Sequence, residues 1–117
     1  MNYKQNKQII ESLNFLDKSK NYKENVIKIS QHETFEHAIA KSIIAIEMIK
    51  NGHKLITEAI FKNGKRADIF ILDTFEIIEI LGSEKIENII NKQKDYPCPI
   101  IPMYANKIIK QSINLLK

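Results

Sequence analysis

A chain of 117 residues with 44% hydrophobic and 27% charged side chains fits one domain around one core and leaves little room for a second. The single cysteine, Cys98, excludes an intramolecular disulfide and leaves no second thiol for a zinc site, which points to a reducing compartment. No apolar run approaches the roughly 20 residues of a membrane span. The stretch from Met1 to Leu16 is too polar for a signal peptide, so a cytoplasmic protein without membrane association is expected. The net charge of +4, nearly all of it lysine, is compatible with nucleic-acid binding without requiring it.

In chain order, Ile9, Ile10, Leu13 and Leu16 recur at helical spacing and predict an amphipathic helix over Lys4 to Asp17. The polar run from Lys18 to Asn25 breaks it, and Val26, Ile27 and Ile29 form a short apolar segment with strand character. Ser30 and Glu33 have capping-box spacing and predict a helix from Gln31 to Asn51, stopped at Gly52. Phe35, Ile39, Ile43, Ile46 and Ile49 mark its apolar stripe; Ile44 and Met48 widen it, as for a helix lying across a sheet.

Three strands are predicted next: Lys54 to Phe61, Arg66 to Leu72 and Glu76 to Leu81. Asn63-Gly64 is a hairpin signal between the first two, and Asp73-Thr74 turns the chain into the third. Ser83 is a suitable N-cap for a helix reaching Lys94, with Glu84 and Glu87 placed to meet its dipole. Pro97 and Pro99 end that helix, Ile100-Ile101 is a fourth short strand, and Asn106 to Leu116 is a last helix with Ile109, Ile113 and Leu116 on one face. That face needs a cover, either from the same chain or from a second copy in a homodimer.

Acidic residues inside apolar strands carry the chemical information. Glu58 stands between Leu55-Ile56-Thr57 and Ala59-Ile60, Asp68 between Ala67 and Ile69-Phe70-Ile71, and Glu79 between Ile77-Ile78 and Ile80-Leu81. A buried carboxylate has to be paired, neutralised or bound to a cation. If the three converge, they form an oxygen-donor site suited to Mg²⁺ or Mn²⁺. The alternative is that each faces outward from a half-exposed strand. Asp73 and Glu76 flank a turn and read as solvated. His37 and Lys41, four residues apart, head an otherwise apolar helix face, with Glu33 one turn earlier.

These residues, from Gly52-His53 through Glu58, Arg66-Ala67-Asp68-Ile69 and Ile77-Ile78-Glu79-Ile80-Leu81-Gly82-Ser83, resemble the PD-(D/E)XK nuclease superfamily. The chain looks most like its small domains of the CoiA competence-protein type and of archaeal viral nucleases. The resemblance covers residues 32–104 and implies an α/β fold with a restriction-endonuclease-like core, a central mixed sheet flanked by helices. On this reading 1–30 is an N-terminal extension, 31–104 the core and 105–117 a C-terminal helix of one nuclease-like domain. It implies metal-dependent hydrolysis of DNA, with RNA open as substrate. Asp68, Glu79 and Glu58 would hold the ion, while His37, Arg66, Ser83 and Lys85 would contact nucleic acid.

The lysine that the superfamily normally places two residues after the last acid is Leu81 here. Lys41 is the expected catalytic substitute and Lys85 the second candidate. The rival readings are a nucleic-acid-binding module that has the fold without catalysis, and a protein-interaction domain in which the acids are solvated.

Overall fold

The computed structural model describes residues 2–116, with side-chain surroundings given through Ile113. Four helices, α1 (Tyr3–Leu13), α2 (Phe35–Lys50), α3 (Ile86–Gln93) and α4 (Ala105–Leu116), enclose a four-stranded mixed sheet. Its strands β1 (Leu55–Ile60), β2 (Arg66–Ile71), β3 (Glu76–Leu81) and β4 (Ile100–Tyr104) lie in the order β1-β2-β3-β4. The first three form an antiparallel meander, and β4 runs parallel to β3 after the crossover through α3. Among the described residues no helix is long and apolar enough to cross a membrane.

Two apolar clusters cover the two faces of the sheet. Ile9 and Leu16 from the N-terminal segment and Ile89 of α3 pack with Ile56, Phe70, Ile77 and Leu81. Ala40 and Ala45 of α2 and Ala105 and Ile108 of α4 pack with Leu55, Ile69, Ile71, Ile78 and Ile80. Helix α1 ends earlier than its periodicity predicts because Leu16 leaves the helix to bridge Phe61, and the Asp17 amide donates to Ile60 O. The apolar segment at Val26 is not a strand. It runs along β1 on side-chain bonds instead: Thr57 Oγ1 donates to Val26 O and accepts from the Lys28 amide. The N-terminal segment thereby occupies the open edge of β1, where unpaired backbone groups would otherwise invite another chain.

Helix α2 begins one turn later than predicted. Thr34 is its N-cap, accepting from the His37 amide. The Ser30–Glu33 pair forms a turn ahead of it, in which Glu33 Oε2 accepts from the Ser30 amide at 2.6 Å. The predicted stripe is split: Ile43, Ile44, Met48 and Ile49 pack against the core, whereas Phe35 and Ile46 face out. Phe35 is 77% exposed and Ile46 52%, whereas the buried face is Ala40, Lys41 and Ala45. When both sides of a helix are apolar, small residues decide: alanines allow the close approach to a sheet that isoleucines would block.

Asp73 is likewise buried rather than solvated. It accepts from the Lys54 amide at 2.9 Å, and its other oxygen lies 2.8 Å from His53 Nδ1. Ser83 does not cap α3; Lys85 holds the N-cap position and makes no side-chain cap bond. In α4, Ile108 is buried and Ile109 packs at the edge of the core, while Ile113 is half exposed. The side chain of Leu116, also assigned to that face, lies outside the described residues.

Candidate active site

Strict alternation would put Leu55, Thr57, Ala59 and Phe61 on one face of β1, yet Leu55 packs with α2 and α4 while Ala59 and Phe61 pack on the opposite side. The same switch occurs in β2, where Ala67 faces one cluster and Ile69 and Ile71 the other. Pairing on either side of the switch keeps one register, with Thr57 opposite Ile69 and Ala59 opposite Ala67. The residues at the two turning points are Glu58 and Asp68. Glu58 absorbs the switch with a φ of 52°, left-handed backbone in mid-strand, at a cost of order 1–3 kcal/mol. An acid in an apolar run here is thus a residue at a kink, turned out of the pleat toward α2.

A chain of charges links α2 to the sheet. Lys41 is fully buried, and its Nζ lies 2.8 Å from Glu33 Oε2 and 2.7 Å from Glu58 Oε1. The other Glu33 oxygen lies 2.7 Å from His37 Nδ1, and His37 Nε2 lies 3.2 Å from Asp68 Oδ2. The second Glu58 oxygen is 3.8 Å from the Arg66 guanidinium. Burial opposes ionisation of Glu33, but the bonds from Lys41, the Ser30 amide and His37 outweigh it and hold its carboxyl down at about 2. Burial also disfavours charge on His37, and the pairing with Glu33 and Asp68 overcomes this and raises its pKa.

On the far side of Asp68 the sheet opens. The β2–β3 ladder runs from Ile71–Glu76 to Ile69–Ile78 and stops before Asp68 and Glu79. In the gap, Asp68 Oδ2 accepts from the Ile80 amide at 2.8 Å, a side chain standing in for the missing ladder bond. Glu79 is 7% exposed. Burial first, then the hydrogen bond to Asp68 and its charge, push the Glu79 carboxyl up to about 9, against a smaller opposing pull from Lys92. Glu79 is thereby driven toward its protonated form, in which it can donate to Asp68.

Of the residues singled out in the sequence, His37, Lys41, Glu58, Arg66, Asp68 and Glu79 form one connected group. Ser83 and Lys85 do not join it; both are exposed between β3 and α3 and make no side-chain hydrogen bond or ion pair among the described residues. Lys41 does not contact Asp68 or Glu79; it connects to Asp68 only through Glu33 and His37. Glu58 is engaged by two cations, Lys41 and Arg66. Among the described residues no three side chains of His, Cys, Asp or Glu gather around one point.

Two neighbours had no signal in the sequence. Tyr96 donates to Arg66 O, and burial, then Glu79 and Asp68, push its phenol up to about 12. Lys92 of α3 is near enough to act on Glu79. Lys62, Lys65, Arg66, Lys92 and Lys94 are all exposed, on the β1–β2 hairpin and the end of α3. The two segments are joined by a bond from Asn63 Nδ2 to Asp95 O. A cleft of about 570 Å³ lined by His32, Glu33, His37, Gly82 and Glu84 opens beside α2.

The donor set, a half-buried and a buried carboxyl side by side, is of the kind a hard divalent ion takes, since Mg²⁺ keeps several waters and needs only one or two carboxylates. Comparison of the chain with protein-family models, with curated proteins and with solved structures finds no match in any of the three.

Proposed function

We propose that the protein is a metal-dependent nuclease of restriction-endonuclease-like fold that hydrolyses phosphodiester bonds of DNA. The observation that carries this reading is the Asp68–Glu79 pair in the opening between β2 and β3, a half-buried and a buried carboxyl whose crowding a proton or a cation would relieve. The two residues would hold Mg²⁺ or Mn²⁺, and the ion would neutralise charge on the phosphate and on the leaving oxygen. A water oxygen bonds to phosphorus as the ester oxygen leaves, and the proton lost by water passes to a nearby base.

His37, its pKa raised despite burial by a carboxylate at each ring nitrogen, would act as the acid that protonates the leaving oxygen rather than as that base. It is partly exposed, touches Asp68, and is oriented by Glu33 through its other nitrogen. Lys41 is a positioning residue, since a fully buried ammonium held by Glu33 and Glu58 keeps α2 and β1 in place without reaching solvent. The basic hairpin and the end of α3 would track the phosphate backbone by charge alone.

A second reading, a binding module of the same fold without catalysis, is favoured by Leu81. It is 4% exposed inside the α1–α3 cluster, so the usual position of the catalytic lysine is packed with hydrocarbon.

Labelled single-stranded, duplex and branched DNA and RNA, incubated with Mg²⁺ or Mn²⁺, separate the two. The nuclease reading expects cleavage by the wild type and none by Asp68→Asn at unchanged melting temperature. Retention of DNA on a filter without cleavage in either metal selects the binding module. In both cases, reversing Lys62 and Lys94 to glutamate should weaken retention on all sequences alike and flatten its salt dependence.

A further inference from the structure

Charge on the β1–β2 hairpin and at the end of α3 would hold any phosphate chain, but the hollow between them is also aromatic. Phe15, Phe61, Lys62, Lys94, Asp95 and Tyr96 line a recess of about 300 Å³. Bonds between three segments of the chain fix its walls. The Lys62 amide donates to Phe15 O at 3.0 Å, Asn63 Nδ2 donates to Asp95 O at 2.7 Å, and Tyr96 Oη donates to Arg66 O at 2.8 Å. Phe61 meets Tyr96 edge-on with ring centroids 5.9 Å apart, and Phe15 lies against Phe75 at 5.1 Å. A recess tied together in this way is formed before a ligand arrives, so little ordering opposes binding.

Phe15 is the ring with open surface. It is 42% exposed, whereas Phe61 is buried and Tyr96 half-buried. Lys62 and Lys94 are exposed and make no ion pair among the described residues. The Asp95 carboxylate disfavours a phosphate inside the recess. The occupant that suits this lining is an uncharged planar ring that stacks on Phe15, with its attached phosphates outside, toward the lysines. A nucleotide of an unpaired strand has that form. A paired base cannot enter, because its two faces are stacked within the duplex and its edge is bonded to its partner. The recess also adjoins the carboxyl pair: Tyr96 reaches Arg66 O, and Asp68 follows two residues later on β2, roughly 7 Å along the strand.

We propose that this recess takes one unpaired base of a DNA strand whose backbone crosses the Asp68–Glu79 site, so that single-stranded DNA, free or as the unpaired arm of a branched molecule, is the preferred substrate. The proposal rests on the nucleic-acid reading above and adds the strand state, which neither the basic surface nor the carboxyl pair decides.

Fluorescence anisotropy of labelled DNA with the full chain, without divalent metal so that nothing is cut, tests this. The wild type should bind a short thymidine oligonucleotide several-fold more tightly than a blunt duplex of equal length. Phe15→Leu keeps hydrocarbon at the recess but removes the π-face. It should weaken single-strand binding roughly tenfold and leave duplex binding and the circular-dichroism spectrum unchanged. The chain has no tryptophan, so Phe15→Trp places a lone indole at the recess, and its emission should be quenched by the single strand and not by the duplex. Single-strand binding by Phe15→Leu equal to that of the wild type overturns the proposal. So does an equal loss on both forms of DNA, or an indole emission that the single strand leaves unchanged. If Phe15→Leu binds single strands normally and still cleaves DNA in Mg²⁺, the base site alone is lost, whereas a wild type that binds neither form of DNA removes the nucleic-acid reading with it.

Discussion

Two histidine–carboxylate pairs lie at different places on this sheet, and they differ in what surrounds the carboxylate. Asp73, after β2, is alone: its oxygens accept from the Lys54 amide and lie against His53, and no second acid is nearby in the contacts it makes. Asp68, at the other end of β2, also touches a histidine and a backbone amide, but Glu79 is pressed against it. One carboxylate with two partners closes a turn. Two carboxyl groups in one gap, with the Lys41 ammonium committed to Glu33 and Glu58 and only a weak pull from Lys92 on Glu79, have little positive charge beside them. The first arrangement is complete in the protein alone, whereas a proton or a cation would relieve the crowding in the second.

The largest test removes the ammonium that ties α2 to β1. Lys41→Met leaves Glu33 and Glu58 facing each other across a buried void of charge and should cost about 3–5 kcal/mol in urea unfolding. A loss under about 1 kcal/mol would mean that the buried network contributes little to holding α2 on β1.

Removing a carboxyl should have opposite effects at the two ends. With the Glu79 pKa raised from 4.5 to about 9, the folded state binds the proton more tightly than the unfolded chain, so the stability of the wild type falls as pH rises between these values. Glu79→Gln keeps a donor to Asp68 without the charge penalty. It should stabilise the metal-free protein by up to about 3 kcal/mol at pH 7, with a smaller gain at pH 5. Equal melting temperatures for the two proteins across this range would show that Glu79 is not forced to hold a proton.

At the other end, Asp73→Ala strands the Lys54 amide and should destabilise by about 1–2 kcal/mol. The two substitutions thus separate a carboxyl that stabilises the fold from one that burdens it. The smallest effect is expected at His37. Its pKa is raised in the folded state, so its contribution is present below about 6.5 and fades as pH rises through the folded value. His37→Gln should therefore lower stability at pH 5.5 and make little difference at pH 9. A constant difference at both pH values would locate its role in packing rather than charge.

Local pattern determined a good deal of this protein. The bounds of β3, Glu76–Leu81, follow from its isoleucines and the flanking turn and glycine, and the Asn63-Gly64 hairpin sets β1 against β2. The acids at Glu58, Asp68 and Glu79 stand out because charge inside an apolar run is costly wherever the chain folds. Tertiary structure decided what those acids do. Alternation along a strand assumes one pleat from end to end, so it could not show that β1 and β2 change faces together at Glu58 and Asp68.

Helical periodicity locates apolar stripes but does not choose between two of them. The sheet chose the face with Ala40 and Ala45, buried Lys41 with it, and left Phe35 and Ile46 outside. The partners of Lys41 come from the turn before α2 and from β1, and Asp68 meets Glu79 only where two strands part. Electrostatic balance in such a gap is a sum over groups distant in sequence. The sequence supplies the groups, and the packing of α2 across the opened sheet determines which of them are paired and which are crowded against a like group.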